Sequence, residues 1–354
     1  MAGSGLSSAP PTATRAGRGS WGRAAPREPD HPARPGDRGQ AVFSHFTVGS
    51  ADPRFVVQVH GGAWNIPLAL KQPHIDGVRR AHAAALEALA AGRRPLDVVV
   101  SVLAVLEDDP TFDAGTGSFL DEDGRVQLDA AVMEGAGLRA GAVAAVGRFR
   151  NPAAIALAVM ERTEHVLLIG EGAERFALSA GFPPVDPRSL VDPREYEGYE
   201  AWVRAGKPDA RVFFDEEGKR GTVGVVIGVR DAEGGRLSLY AGASTGGTRG
   251  KKAGRVGDVP LVGCGIYADD EGAAVCCTGW GEAFIRAAAA KSVSDRVAAG
   301  THPQDAVEAV LTLIHRKTGG RGGIMAIGPS GDMGAAFTTP DMAYAGPSCR
   351  QLEI

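Results

Sequence analysis

The sequence predicts an α+β fold in which two antiparallel-rich sheets are sandwiched between layers of helices. Three observations point there. Apolar runs of strand length follow one another across short polar turns, which purely parallel β–α alternation does not produce. This grouping of strands with helices occurs twice, on either side of a polar, proline-bearing stretch at 182–221. Glycine makes up 50 of 354 residues, roughly twice the usual ~7%, with no G-X-Y period. Collagen is excluded, and a loop-rich enzyme with close backbone approaches is favoured.

Residues 1 to about 50 are rich in Pro, Arg, Gly and Ser, with few aliphatics. Such a composition buries too little apolar surface to offset chain entropy. A disordered N-terminal extension is expected, followed by a single domain over 51–354. The extension lacks an apolar h-region, so it is not read as a secretory signal. Glu28, Asp30, Asp37 and the prolines argue against a transit peptide.

Order is expected to begin with a buried strand at Phe55–His60, running into a Gly61-Gly62 turn. A helix follows over about 75–91, with Val78, His82, Ala85 and Leu89 on one face and Gly92 as its stop. Pro95 opens a second helix, apolar almost all round from Val98 to Leu106 and therefore buried. Strands are predicted near 116–120, 126–133 and 140–147, with Asp121–Gly124 turning between the first two. Helices follow near 152–162 and 172–181, and one lies in the long loop near 194–205. The second half resumes with strands at 222–230, 236–244 and 271–277, the first two joined by a turn at 231–235. Helices at 281–298 and 303–317 and strands at 323–328 and 333–338 complete the chain. No internal repeat is found.

The formal net charge of −4 asks for no nucleic acid and no anionic membrane. No run of apolar residues is long enough for a membrane span. The four cysteines, Cys264, Cys276, Cys277 and Cys349, form no C-x-x-C, which argues against a zinc ribbon or a thioredoxin-type site. They read as reduced side chains in a cytoplasmic setting. The eight histidines include no H-E-x-x-H. Gly170-Glu171-Gly172 resembles the start of a dinucleotide fingerprint, but Arg175 fills the third glycine position. Gly250-Lys251-Lys252 resembles the end of a P-loop, with Lys252 where the Mg²⁺-binding hydroxyl belongs and Thr245 where the leading glycine belongs.

Four glycine-rich segments remain: Gly221-Thr222-Val223-Gly224, Ser244-Thr245-Gly246-Gly247, Gly254-Arg255-Val256-Gly257-Asp258 and Cys277-Thr278-Gly279-Trp280-Gly281-Glu282. Each pairs a hydroxyl or a charge with flanking glycines, and each alone is an ordinary turn. In this order they resemble the plant-type L-asparaginase/isoaspartyl peptidase family of N-terminal-nucleophile hydrolases. Earlier blocks agree: Val59-His60-Gly61-Gly62-Ala63, Asp113-Ala114-Gly115-Thr116-Gly117-Ser118, Leu128-Asp129-Ala130 with Met133-Glu134-Gly135, Arg150-Asn151-Pro152 and Ile169–Glu174. The resemblance runs from about Val57 to near residue 345.

It implies a four-layer αββα sandwich and a precursor that cleaves itself between Gly221 and Thr222. Thr222 would then serve as nucleophile and, through its freed α-amino group, as its own base. That amine has a reference pKa near ~7.7–8.0 and accepts a proton at neutral pH. Thr245 would orient the Thr222 hydroxyl. Thr278 and the Gly279 backbone N–H would form the oxyanion hole. Arg255 would clamp the substrate α-carboxylate and Asp258 its α-ammonium. The implied substrates are L-asparagine and β-aspartyl dipeptides, opened through an acyl-enzyme to release aspartate. No cofactor is implied for catalysis. A structural Na⁺ is implied on the carbonyls of Leu106, Glu107, Asp109, Phe112, Ala114 and Thr116, as is a homodimer of αβ units.

Gly-Thr-Val-Gly and Thr-Gly-Gly separate the chain from glycosylasparaginases, which carry Asp-Thr-Ile-Gly and an Asn. Asp258 separates it from threonine aspartases. Three residues depart from the family pattern: Asp113 where Asn is usual, Trp280 where a small residue or His is usual, and Trp64 where Gly is common. Asp113 leaves open an alternative, a processing-defective homologue that binds amino acids without turnover.

Overall fold

The computed structural model describes residues 45–47, 52–208, 221–230 and 234–354. All belong to the second of two units, Met1–Val42 and Phe43–Ile354. The first half contains β1 (His45–Thr47), β2 (Phe55–Trp64), α1 (Leu68–Ala90), α2 (Pro95–Glu107), β3 (Leu128–Glu134), β4 (Ala140–Val146), α3 (Pro152–Arg162), β5 (Leu167–Ile169), α4 (Gly170–Ser179) and α5 (Pro193–Arg204). The second half contains β6 (Val223–Arg230), β7 (Leu237–Thr245), β8 (Ile266–Tyr267), β9 (Ala274–Gly279), α6 (Gly281–Ala287), α7 (Ala289–Ala298), α8 (Pro303–Thr318), β10 (Gly322–Ile327), β11 (Met333–Phe337), β12 (Asp341–Gly346) and β13 (Arg350–Gln351).

The strands form two mixed but mainly antiparallel sheets. The larger runs β1-β12-β2-β6-β7-β3-β4-β5 and the smaller β13-β11-β10-β9-β8. Helices α1, α2 and α3 cover one face of the large sheet, and α7 and α8 cover the small one. The sheets face each other through β2, β6 and β7 against β9 and β10. This is the four-layer sandwich expected from the sequence.

The alternation of side chains along a strand creates the layers. Val223, Val225 and Ile227 of β6 enter the core beneath α1–α3, while Val226 enters the core between the sheets. Being covered on both faces, β6 reads as a near-continuous apolar run. On β2, Val57 and Val59 face the helices. Gln58 and His60 therefore face the other sheet, where the Gln58 amide donates to the Ala326 carbonyl at 3.4 Å.

Several local expectations differ from the structure. Residues 116–120 form turns rather than a strand, with only a Leu120–Val126 bridge. Their neighbourhood sends backbone N–H groups to carboxylates instead of a ladder: Phe119 to Asp113, and Asp123 and Arg125 to Asp121. The first helix begins at Leu68 and carries Pro73 inside it. The helix expected over 281–298 breaks at Ala288, which is left-handed at φ 43°. There the N–H groups of Ala290 and Lys291 turn to the Cys264 and Gly263 carbonyls. β12, flanked by Pro340, was not anticipated. Strand β1 falls inside the segment expected to lack structure; the rest of that segment lies outside the described residues, as do 209–220 and most of the 231–235 turn. Among the described residues no helix is long and apolar enough to cross a membrane.

Candidate active site

β6 and β7 pair with Val223 opposite Ser244, which sets Thr222 beside Thr245 at the end of the ladder. The Thr222 hydroxyl donates to Thr245 Oγ1 at 3.0 Å, and the same oxygen accepts the Gly247 N–H at 3.0 Å. Just upstream, Gly221 packs its backbone on Gly62: a Cβ on either glycine would overlap the other's Cα. Gly62 also sits at φ +101°, where side chains are strained. The turn expected at Gly61-Gly62 is not formed: both glycines lie inside β2, whose pairing with β12 is irregular there, and Gly62 meets Gly221 instead.

The sequence reading missed two side chains behind Thr222. His60 Nδ1 lies 3.1 Å from the Thr222 carbonyl oxygen, and His60 Nε2 lies 3.1 Å from Cys276 Sγ. His60 is fully buried, and burial pushes its pKa down to about 3, so the ring is neutral. Burial also holds the Cys276 thiol well above its usual range, so it stays protonated. Cys276 and Thr278 lie on the same face of β9, and Thr278 is buried there. Gly279 follows at φ +140°, and a Cβ there would fall 2.5 Å from the Arg321 carbonyl oxygen.

The charged part of the site is a separate cluster. Arg255 donates through Nε to Glu282 Oε1 at 2.9 Å. Its guanidinium is bordered by Gly247, Gly257 and Gly281, where a Cβ would lie 3.4, 2.8 and 3.0 Å from Nη atoms. Burial works against its charge, but Glu282, Asp258 and Asp129 more than offset that. Asp258 is buried, and burial raises its carboxyl to about 6 although Arg255 pulls it down. Asp258 Oδ2 has no hydrogen-bond partner among the described residues. A buried acceptor left without a donor costs free energy unless a ligand supplies one. Asp129 pins this loop to the sheet, accepting the Gly257 N–H at 3.3 Å and the Ala145 N–H at 2.9 Å. Beside Arg255 opens a cavity of about 340 Å³, lined in part by Trp202, Lys251, Lys252 and Glu282.

Asp113 adjoins Gly246, the residue after Thr245. Its carbonyl accepts the Gly246 N–H at 3.0 Å, and Oδ1 accepts the Phe119 N–H at 2.9 Å. Glu107, buried nearby, is raised to about 7 by burial, against hydrogen bonds that include those from Asn151 and Ala153. In the 106–116 loop the carbonyls of Leu106, Glu107 and Asp109 accept N–H groups from Asp109, Thr116 and Phe112. Among the described residues no group of His, Cys, Asp and Glu is arranged to hold a metal ion.

Other motifs do not carry the chemistry that their patterns suggest. Lys252 makes an ion pair with Glu122 at 2.6 Å. Trp64 packs edge-on to His74 in the helix-side core. Gly242–Gly246 reads G-x-S-x-G, yet it lies within and at the end of β7 with no helix after it, so it is not a nucleophile elbow.

A profile of the asparaginase family matches residues 53–352. The chain belongs to this family. It is 39% identical to an isoaspartyl peptidase/L-asparaginase of Danio rerio, over 82% of this chain and 91% of the relative. It is 41% identical to a plant-type L-asparaginase of Pyrococcus abyssi, over 81% and 94%. It is also 41% identical to an isoaspartyl peptidase of Salmonella typhimurium, over 82% and 96%. The family resemblance read from the motifs holds over nearly all of the described chain, and this member of the asparaginase family is a hydrolase.

Proposed function

We propose that the protein is a self-cleaving amidohydrolase that opens the β-amide of L-asparagine or of β-aspartyl dipeptides through Thr222. The observation that carries this reading is the 3.0 Å bond between the Thr222 and Thr245 hydroxyls, one residue beyond the glycine packed on Gly62. In the precursor, Thr222 Oγ1 attacks the Gly221 carbonyl carbon. The Gly221–Thr222 C–N bond breaks, and the hydroxyl proton ends on the departing nitrogen. Water then hydrolyses the resulting ester, leaving a Gly221 carboxylate and a free Thr222 hydroxyl and amine.

In turnover the amine takes the hydroxyl proton as Oγ1 attacks the substrate β-carbonyl. Thr278 and the Gly279 N–H receive the developing oxyanion. Ammonia or an amino acid leaves with that proton, and water releases aspartate from the acyl-enzyme. Arg255 keeps its Nη edge for the substrate α-carboxylate because Glu282 engages Nε. Asp258 Oδ2, buried and unpartnered among the described residues, suits an α-ammonium. A Na⁺ in the 106–116 loop would share carbonyls that already accept N–H groups, each of which has a second lone pair. Pairing of two αβ units belongs to the same proposal.

Intact-mass measurement of purified wild type and Thr222→Ala tests the reading. The wild type should yield two chains split before Thr222, and the variant one chain with amidohydrolase activity lowered about 10⁴-fold or more. A variant still cut at that bond, or a fully active unbroken wild type, overturns it.

A further inference from the structure

We infer that Cys276 and His60 form a neutral hydrogen-bond relay that fixes the backbone of Thr222 and so act as positioning residues for its chemistry. The inference rests on the Thr222 reading above. His60 bridges the two sheets, with Nδ1 at 3.1 Å from the Thr222 carbonyl oxygen and Nε2 at 3.1 Å from Cys276 Sγ.

A carbonyl oxygen only accepts, so the ring nitrogen facing it must carry the proton. That leaves a lone pair on Nε2, toward which the Cys276 thiol donates. The opposite tautomer would aim the Nδ1 lone pair at the Thr222 carbonyl and take the Gly62 N–H, 3.3 Å away, instead. In that tautomer Nε2–H would point at the sulfur, a weak acceptor, and the Thr222 carbonyl would lose its donor, so a thiol that donates to Nε2 favours the tautomer that holds Thr222. Its other acceptor, the Gly242 carbonyl, is more distant at 3.7 Å.

Burial keeps both partners uncharged. Gly224 makes room for them, since a Cβ there would overlap both Cys276 Sγ and His60 Nε2. Cys276 shares its face of β9 with Thr278. The same strand thus sets the carbonyl of the nucleophile at one point and Thr278 at the next.

The test uses the full chain. Cys276→Ser keeps a donor, whereas Cys276→Ala removes it. The alanine variant should slow both self-cleavage and kcat about tenfold at unchanged KM, and the serine variant should restore most of the loss. In ¹⁵N-histidine wild-type protein, His60 should appear as a ring that does not titrate near neutrality and is protonated on Nδ1, a readout that needs no variant to fold. Assignment comes from the ring's through-space contacts to Cys276 and Gly224 in the wild-type protein. Equal rates for the alanine and serine variants, or a proton on His60 Nε2, would overturn the relay. A wild type uncut before Thr222 would instead remove the reading beneath it, whatever Cys276 does.

Discussion

The surroundings of Thr222 and those of Arg255, which meet at Gly247, are built in opposite ways. Around Thr222 the groups are neutral: the Thr245 hydroxyl, the His60 ring and the Cys276 thiol, joined by short hydrogen bonds. Around Arg255 they are charged, with Glu282, Asp258 and Asp129 close by. The neutral network is satisfied internally. The charged one leaves Asp258 Oδ2 without a hydrogen-bond partner among the described residues. Near neutrality the groups around Thr222 stay uncharged, while the cluster around Arg255 is charged and keeps one buried acceptor open.

The contrast is broken most strongly at Arg255. Arg255→Ala should lower kcat/KM about 10²–10³-fold, mainly through KM, because it leaves Glu282 and Asp258 without their cation. Arg255→Lys should recover little, since an ammonium lacks the planar fork that serves Glu282 and a carboxylate together. Steady-state kinetics on both variants checks this. An alanine variant with unchanged KM would take Arg255 out of substrate binding.

A smaller effect comes from pH. Asp258 is raised from 3.8 to about 6 in the fold. Below about 6 it is protonated and cannot pair with an ammonium, so kcat/KM should fall as pH drops through that range. Stability runs the other way. Folding favours the protonated acid, so its contribution is complete below 3.8 and lost as pH rises to about 6. Asp258→Asn should remove that limb of the pH–rate profile. A limb that survives the substitution belongs to another group.

The smallest effect is expected at Asp113. Asn keeps the Oδ1 acceptor that binds the Phe119 N–H. Asp113→Asn should therefore change cleavage and turnover within about threefold. A large gain in either would assign the extra charge beside Gly246 a restraining role.

Much of the site was legible because glycine and hydroxyl residues sit in short ordered blocks. Thr222, Thr245, Arg255 and Asp258 stand out as candidates through those blocks taken together with the family resemblance, and the structure sets Thr222 against Thr245 and Asp258 beside Arg255. Glu282 also lies within one, but its hold on Arg255 is a contact between separate elements. In the sequence His60 and Cys276 read as a strand residue and a reduced thiol, because nothing local marks two side chains that meet across facing sheets. The turns at 116–120 were mistaken for a strand for a related reason. Apolar Phe119 and Leu120 are buried there, but the N–H groups of Thr116, Gly117 and Phe119 go to the Glu107 and Leu190 carbonyls and the Asp113 carboxylate rather than to a neighbouring strand.

By itself, the sequence determined the layers of this protein, because the two-residue period of a strand assigns each apolar side chain to one face. It also determined the family and the order of the reactive blocks. Only the tertiary structure decided which polar atoms were left unsatisfied and which buried groups stayed neutral. Those properties depend on burial and on partners far apart in the chain, as with His60 and Cys276, which are brought together only when the two sheets close on each other.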